Sequence, residues 1–201
     1  MLTLSGAKFR FAIRCLPVVF LMLGVTSGCF AATGPHKKVY LLRGLTNVLS
    51  PGIDRLADEL SKRGIDATIT NHAFSDSLAD EAIEGCKSGR VNSVVLVGHS
   101  LGASAAVSMA EQLQKAGLHV ALIVTLDPVV KTVVPNNVRL LKNFYLSSGV
   151  GTAVERSGHF HGVLQNVDMG RTEYGHVSLT TAPTVQKQIM RDILAANSSC
   201  R

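Results

Sequence analysis

No acidic residue precedes position 54. The apolar stretch at 15–25 spans only about 11 residues, well short of the roughly 20 a membrane-crossing helix needs. No histidine or cysteine cluster has zinc-ligand spacing, which removes the structural metal folds. Neither an internal repeat nor a low-complexity tract is visible, and no RNA- or DNA-binding signature appears. Charged residues make up only 17% of the 201 residues while hydrophobic ones make up 46%, so a disordered, self-repelling chain is excluded and one globular domain is expected. The formal charge is +6, but Lys8, Arg10 and Arg14 supply three of those charges, and the other basic residues are scattered among acids. That pattern fits a solvated surface better than a nucleic-acid interface.

The unbalanced start has a separate meaning. A basic stretch, the apolar run at 15–25 and then small residues through Ala31 and Ala32 have the order of a secretory signal peptide covering residues 1–31. A second reading stays open. Ser27-Gly28-Cys29 is similar to a bacterial lipoprotein box, with Thr26 where such a box carries leucine, and lipidation of Cys29 would attach the protein to a membrane. Either way the chain is expected to be exported, to the periplasm or beyond. Two cysteines, Cys86 and Cys200, then remain. An oxidising compartment permits them to pair, but pairing requires their Cα atoms within about 7 Å, which the sequence alone does not decide.

After a short linker at 32–37, apolar β-branched runs alternate with helical patterns through a domain at 38–201. Strands are expected at 38–42, 66–70, 93–97, 120–126 and 140–146. Helices are expected from the spacing of Ile53, Leu56 and Leu60, from Leu78 to Gly89, over 100–116, and over 185–195. Residues 147–175 read as irregular, with glycines among polar residues. Strands apolar on both faces imply a sheet covered on both sides, hence parallel strands. The fold class is therefore α/β: a three-layer sandwich around a mostly parallel, doubly wound sheet, with no room for a large cap domain. In such sheets chemistry gathers beyond the carboxyl ends of the strands.

One motif falls at that edge. The run 93–97 leads into Gly98-His99-Ser100-Leu101-Gly102 and then into a helix, which is G-x-S-x-G in strand–turn–helix context. A serine at so sharp a turn projects its hydroxyl outward, and the flanking glycines allow the close approach of helix and strand. The Leu101 N–H, first in its helix, can donate to an oxyanion. The bland alternative is a glycine-rich turn holding an ordinary serine.

On these residues the chain resembles the α/β-hydrolase superfamily over about residues 38–196, and in detail its compact thioesterase and lipase-like members, which carry GHSLG. The resemblance implies an acyl-enzyme on Ser100 acting on esters or thioesters, with no cofactor, and with acid and base following in the order Ser, acid, His. Asp127, at the tip of the run 120–126, is the expected acid, and Asp168 is its rival. Among the downstream histidines, His176 precedes the final helix where the superfamily keeps its base; His159 and His161 are the alternatives. His36, His72 and His119 fall outside that order, and His99 is expected to pack beneath the elbow. A second oxyanion donor is expected in the loop after the first strand, around Gly44 and at Leu45, although Arg43 stands where many relatives have histidine. The partner implied is a small ester or thioester. Acyl transfer by the same residues, or a non-catalytic binding protein on this scaffold, are the competing readings.

Overall fold

The computed structural model describes residues 36–45 and 50–201; the expected leader at 1–31, with Cys29, lies outside them. Eight strands and four α-helices follow in the order β1 (His36–Arg43), α1 (Pro51–Lys62), β2 (Asp66–Asn71), α2 (Ser75–Ser88), β3 (Val91–His99), α3 (Leu101–Lys115), β4 (Leu122–Leu126), β5 (Val133–Val134), β6 (Leu140–Tyr145), β7 (Glu155–Arg156), β8 (Val163–Asp168) and α4 (Pro183–Ala195). A 3-10 turn precedes α2 and another precedes α4. β1 thus opens at His36, within the stretch read as a linker.

Six strands form one sheet in the order β2-β1-β3-β4-β6-β8, and every pairing in it is parallel. Strand periodicity sends neighbouring residues to opposite faces. In β1, Val39 and Leu41 pack with Ile53, Leu56 and Leu60 of α1 and Ile189 and Ile193 of α4. Their neighbours Tyr40 and Leu42 pack with Ala79 and Ala82 of α2 and with Ala106, Met109 and Ala110 of α3. β3 does the same, with Val95 and Val97 on the first face and Val94 and Leu96 on the second. Both faces are dry, which is why these strands read as continuous apolar runs.

Topology then locates the working edge. The chain leaves β1 on one side to form β2, and returns across β1 to form β3 on its other side. The winding reverses between β1 and β3, and the crevice outside their carboxyl ends is where such sheets bind ligands.

The stretch 147–175 differs from its reading as irregular. It contains β7 and the edge strand β8. The sequence signal was weak because an edge strand needs few apolar side chains, and β8 is mostly exposed. Its polar residues do specific work instead. In register across β4, β6 and β8, Thr125 donates to Asn143 at 2.8 Å and Asn143 donates to Asn166 at 2.9 Å. Asn166 also exchanges two hydrogen bonds with the Val154 backbone, both 2.9 Å, taking the place of a further strand.

Cys86 on α2 and Cys200 at the chain end are joined by a disulfide, with Cα atoms 6.1 Å apart. The Cys200 backbone also bridges the sheet, its N–H donating to Asn92 and its carbonyl accepting from His119. Among the described residues, no helix is long and apolar enough to cross a membrane.

Candidate active site

Ser100 stands between the last residue of β3 and the first of α3, with φ 58° and ψ −122°. A non-glycine residue rarely adopts this backbone, and here the surroundings impose it. Its N–H donates to Leu126 O at 2.9 Å, which ties the turn to the end of β4. The flanking glycines are explained by contact. A Cβ on Gly98 would lie 2.0 Å from Gly102 O, and one on Gly102 would lie 2.2 Å from Leu42 O. α3 therefore starts directly against β1 and β3, with the Leu101 N–H at its positive end and outside the intrahelical ladder.

Asp127 follows β4 by one residue and is fully buried, with φ 47°. A buried carboxylate must be hydrogen-bonded, and this one is. Oδ1 accepts from the Leu146 N–H at 2.8 Å, while Oδ2 lies 2.7 Å from His176 Nδ1. Gly151 packs so tightly on it that an added Cβ would lie 1.7 Å from Oδ1. The loop bearing Gly151 is held by Thr152, whose N–H and hydroxyl both donate to Pro128 O.

His176 lies in the turn before the second 3-10 segment, its side chain 30% exposed. With Nδ1–H committed to Asp127, Nε2 is left as the basic nitrogen. The ring centroids of His176 and His99 are 4.6 Å apart, so the His176 loop sits against the residue preceding Ser100. No hydrogen bond from the Ser100 hydroxyl to the His176 ring is formed among the described residues. Such contacts commonly tighten only once substrate is bound.

The alternatives lie elsewhere. Asp168 is exposed at the end of β8, where its Oδ1 accepts from Ser147 and Gly170; those bonds hold its carboxyl below the usual carboxylate range. His159 and His161 precede β8, and so lie at the amino end of the parallel sheet, opposite the Ser100 edge.

The loop after β1 has two features. Gly44 packs on the elbow, since an added Cβ there would lie 3.0 Å from Ser100 Cβ. Its carbonyl accepts from Asn71 Nδ2 at 2.9 Å and from His72 Nδ1 at 3.0 Å, both at the end of β2. In a trans peptide the carbonyl and the following N–H point in opposite directions. With the Gly44 carbonyl drawn toward the end of β2, the Leu45 N–H points away from it.

Ser50, Asn71, His72 and Gly151 were not singled out as site residues from the sequence. Ser50 directly precedes Pro51, the first residue of α1, a position where a serine commonly caps the helix. Its hydroxyl makes no capping bond to α1 and instead reaches His99 Nδ1 at 2.8 Å. Among the described residues no group of three or more histidine, cysteine or carboxylate side chains is arranged to hold a metal ion.

No family model matches the chain, and no curated protein matches it. Solved structures do. The type II thioesterase BorB from the borrelidin biosynthetic cluster superposes with a TM-score of 0.52 at 13% identity, covering 81% of this chain and 96% of that one. The ydeN gene product from B. subtilis gives a TM-score of 0.50 at 16% identity, covering 79% and 99%. An uncharacterized protein from Bacillus cereus ATCC 10987 gives 0.52 at 9% identity, covering 94% and 63%. At such identities the likeness concerns architecture, and with the six-stranded parallel sheet and its flanking helices it gives the chain the fold of a compact α/β-hydrolase.

Proposed function

We propose that the protein is a serine hydrolase that cleaves carboxylic esters or thioesters through an acyl-enzyme on Ser100. The observation that carries this reading is the buried Asp127 carboxylate bonded to His176 Nδ1, beside a serine in a positive-φ turn at a helix N-terminus. That arrangement leaves a basic nitrogen and a hydroxyl at one rim, with backbone donors next to them.

In the proposed reaction His176 Nε2 takes the Ser100 proton as Oγ attacks the acyl carbon. The carbonyl electrons move onto oxygen, where the Leu101 and Leu45 N–H groups receive the negative charge. Collapse expels the alcohol or thiol, which takes the proton back from His176. Water, deprotonated by the same ring, then attacks the acyl carbon, and Ser100 Oγ leaves with that proton as the acid is released. Asp127 keeps the imidazole in the correct tautomer and offsets its charge. The scheme needs neither metal nor cofactor.

The rim supports an apolar acyl group. Leu45, Phe74, Val130 and Val150 are large exposed hydrophobics in the segments following β1, β2, β4 and β6, all at the Ser100 edge. Export is part of the proposal and gains support from the Cys86–Cys200 disulfide, a bond that persists in oxidising compartments.

A fluorophosphonate probe tests the nucleophile. We expect it to label the folded protein and to be lost in Ser100→Ala; folded protein that resists labelling refutes the reading. A panel of p-nitrophenyl esters and acyl thioesters of rising chain length then identifies the leaving group and acyl length.

A further inference from the structure

His99 occupies the x position of the elbow, yet it is neither a surface residue nor an apolar one. It is 1% exposed and every polar atom of its ring is used. Nε2 lies 3.0 Å from the carbonyl oxygen of His176, an atom that can only accept, so Nε2 carries the proton. Nδ1 is then bare and accepts from the Ser50 hydroxyl at 2.8 Å. Ser50 is itself fully buried, and its oxygen takes a long contact, 3.4 Å, from the Gly44 N–H. A continuous line therefore runs from the loop after β1, through the first residue before α1, through the elbow, to the backbone of His176. Burial keeps the imidazole neutral, with a pKa lowered to about 4, and the neighbouring His176 ring works in the same direction.

His176 is thus gripped at two points. Asp127 holds its ring, and His99 holds its carbonyl. One bond alone leaves the residue a hinge in a short turn; two define the direction in which Nε2 points. We propose that His99 and Ser50 are positioning residues, holding the His176 loop and the Gly44 loop in register around Ser100. The inference rests on the function proposed above for Ser100 and His176. It concerns neither proton transfer by His99 nor contact with substrate.

Three variants separate positioning from mere stability. His99→Phe keeps the volume and loses both hydrogen bonds. His99→Gln keeps a donor at the Nε2 position and so can still reach the His176 carbonyl. Ser50→Ala removes only the hydroxyl. On a short-chain p-nitrophenyl ester, His99→Phe is expected to lower kcat by about 10- to 100-fold with KM within about threefold, because a small misorientation of the base affects chemistry more than binding. His99→Gln should recover to within about fivefold of wild type, and Ser50→Ala should lose about three- to tenfold. A role in stability alone would lower the melting temperature and leave kcat of the folded fraction unchanged, which overturns the proposal.

A second readout does not depend on turnover. The Nδ1–H shared by His176 and Asp127 should give a downfield proton resonance in the wild type. It should persist in His99→Gln and be lost to solvent exchange in His99→Phe. Its persistence in both overturns the proposal. If His99→Phe fails to fold, Ser50→Ala decides: wild-type kcat, pH profile and resonance in that variant overturn it. If the wild-type protein turns over no ester and Ser100→Ala labels like wild type, the function fails while the resonance still decides the positioning role.

Discussion

Acid should destabilise this protein through one buried ring. In the unfolded chain His99 titrates at its ordinary 6.5, whereas in the fold burial lowers it to about 4, opposed only by the Asp127 carboxylate and the bond to the His176 carbonyl. The unfolded state therefore binds more protons between those two values, and stability must rise with pH across that window. Above pH 6.5 the contribution is complete. It falls by about 1.4 kcal/mol near pH 5.5 and about 2.5 kcal/mol near pH 4.5, approaching about 3 kcal/mol below both values. Urea unfolding monitored by circular dichroism, at about pH 7.5, 5.5 and 4.5 with the disulfide intact, measures this directly. Other groups titrate in the same range, so the comparison is with His99→Gln, which removes this ring and leaves the rest. The wild type should lose about 2.5 kcal/mol more than the variant between the two extremes. Equal losses in both proteins would refute the assignment of His99 as a buried neutral imidazole.

Reduction of Cys86–Cys200, which closes a loop with a sequence separation of 114, should cost about 4 to 5 kcal/mol in the same unfolding assay, and a loss under 1 kcal/mol would contradict it. Gly98→Ala and Gly102→Ala force a Cβ onto backbone atoms about 2 Å away, and each should cost about 3 kcal/mol or more or prevent folding, as melting curves will show. Gly151→Ala should push the Asp127 carboxylate aside and lower kcat about 100-fold with the fold preserved; unchanged esterase activity would count against the acid assignment. Asp127→Asn should lower kcat by about four orders of magnitude while Asp168→Asn changes it less than twofold, and the reverse pattern would exchange the two carboxylates.

The layered α/β architecture was legible because its signals are local. Apolar runs such as 93–97 and the spacing of Ile53, Leu56 and Leu60 report on their own segments, and alternating strands and helices leave few ways to cover both faces of a sheet. The elbow was legible for a similar reason, since Gly98, Ser100 and Gly102 lie within five residues and both glycines are required by contacts at that turn. The edge strand β8 was not, because a strand with a solvated edge can be built from glutamine and asparagine. What those polar side chains do is visible only when Thr125, Asn143 and Asn166 are aligned across three strands.

Local pattern, then, determined four helices, the five apolar strands of the sheet, their order along the chain and the position of Ser100. Tertiary structure decided which carboxylate meets which histidine: Asp127 directly follows β4 and Asp168 ends β8, but burial and the reach of the His176 loop single out the first. It also decided the Cys86–Cys200 pairing and the line from Gly44 through Ser50 and His99 to His176. The physical reason is the same in each case: hydrogen bonds and disulfides form between atoms a few ångströms apart, and residues 49, 77 and 114 positions apart become neighbours only once the sheet has set their places.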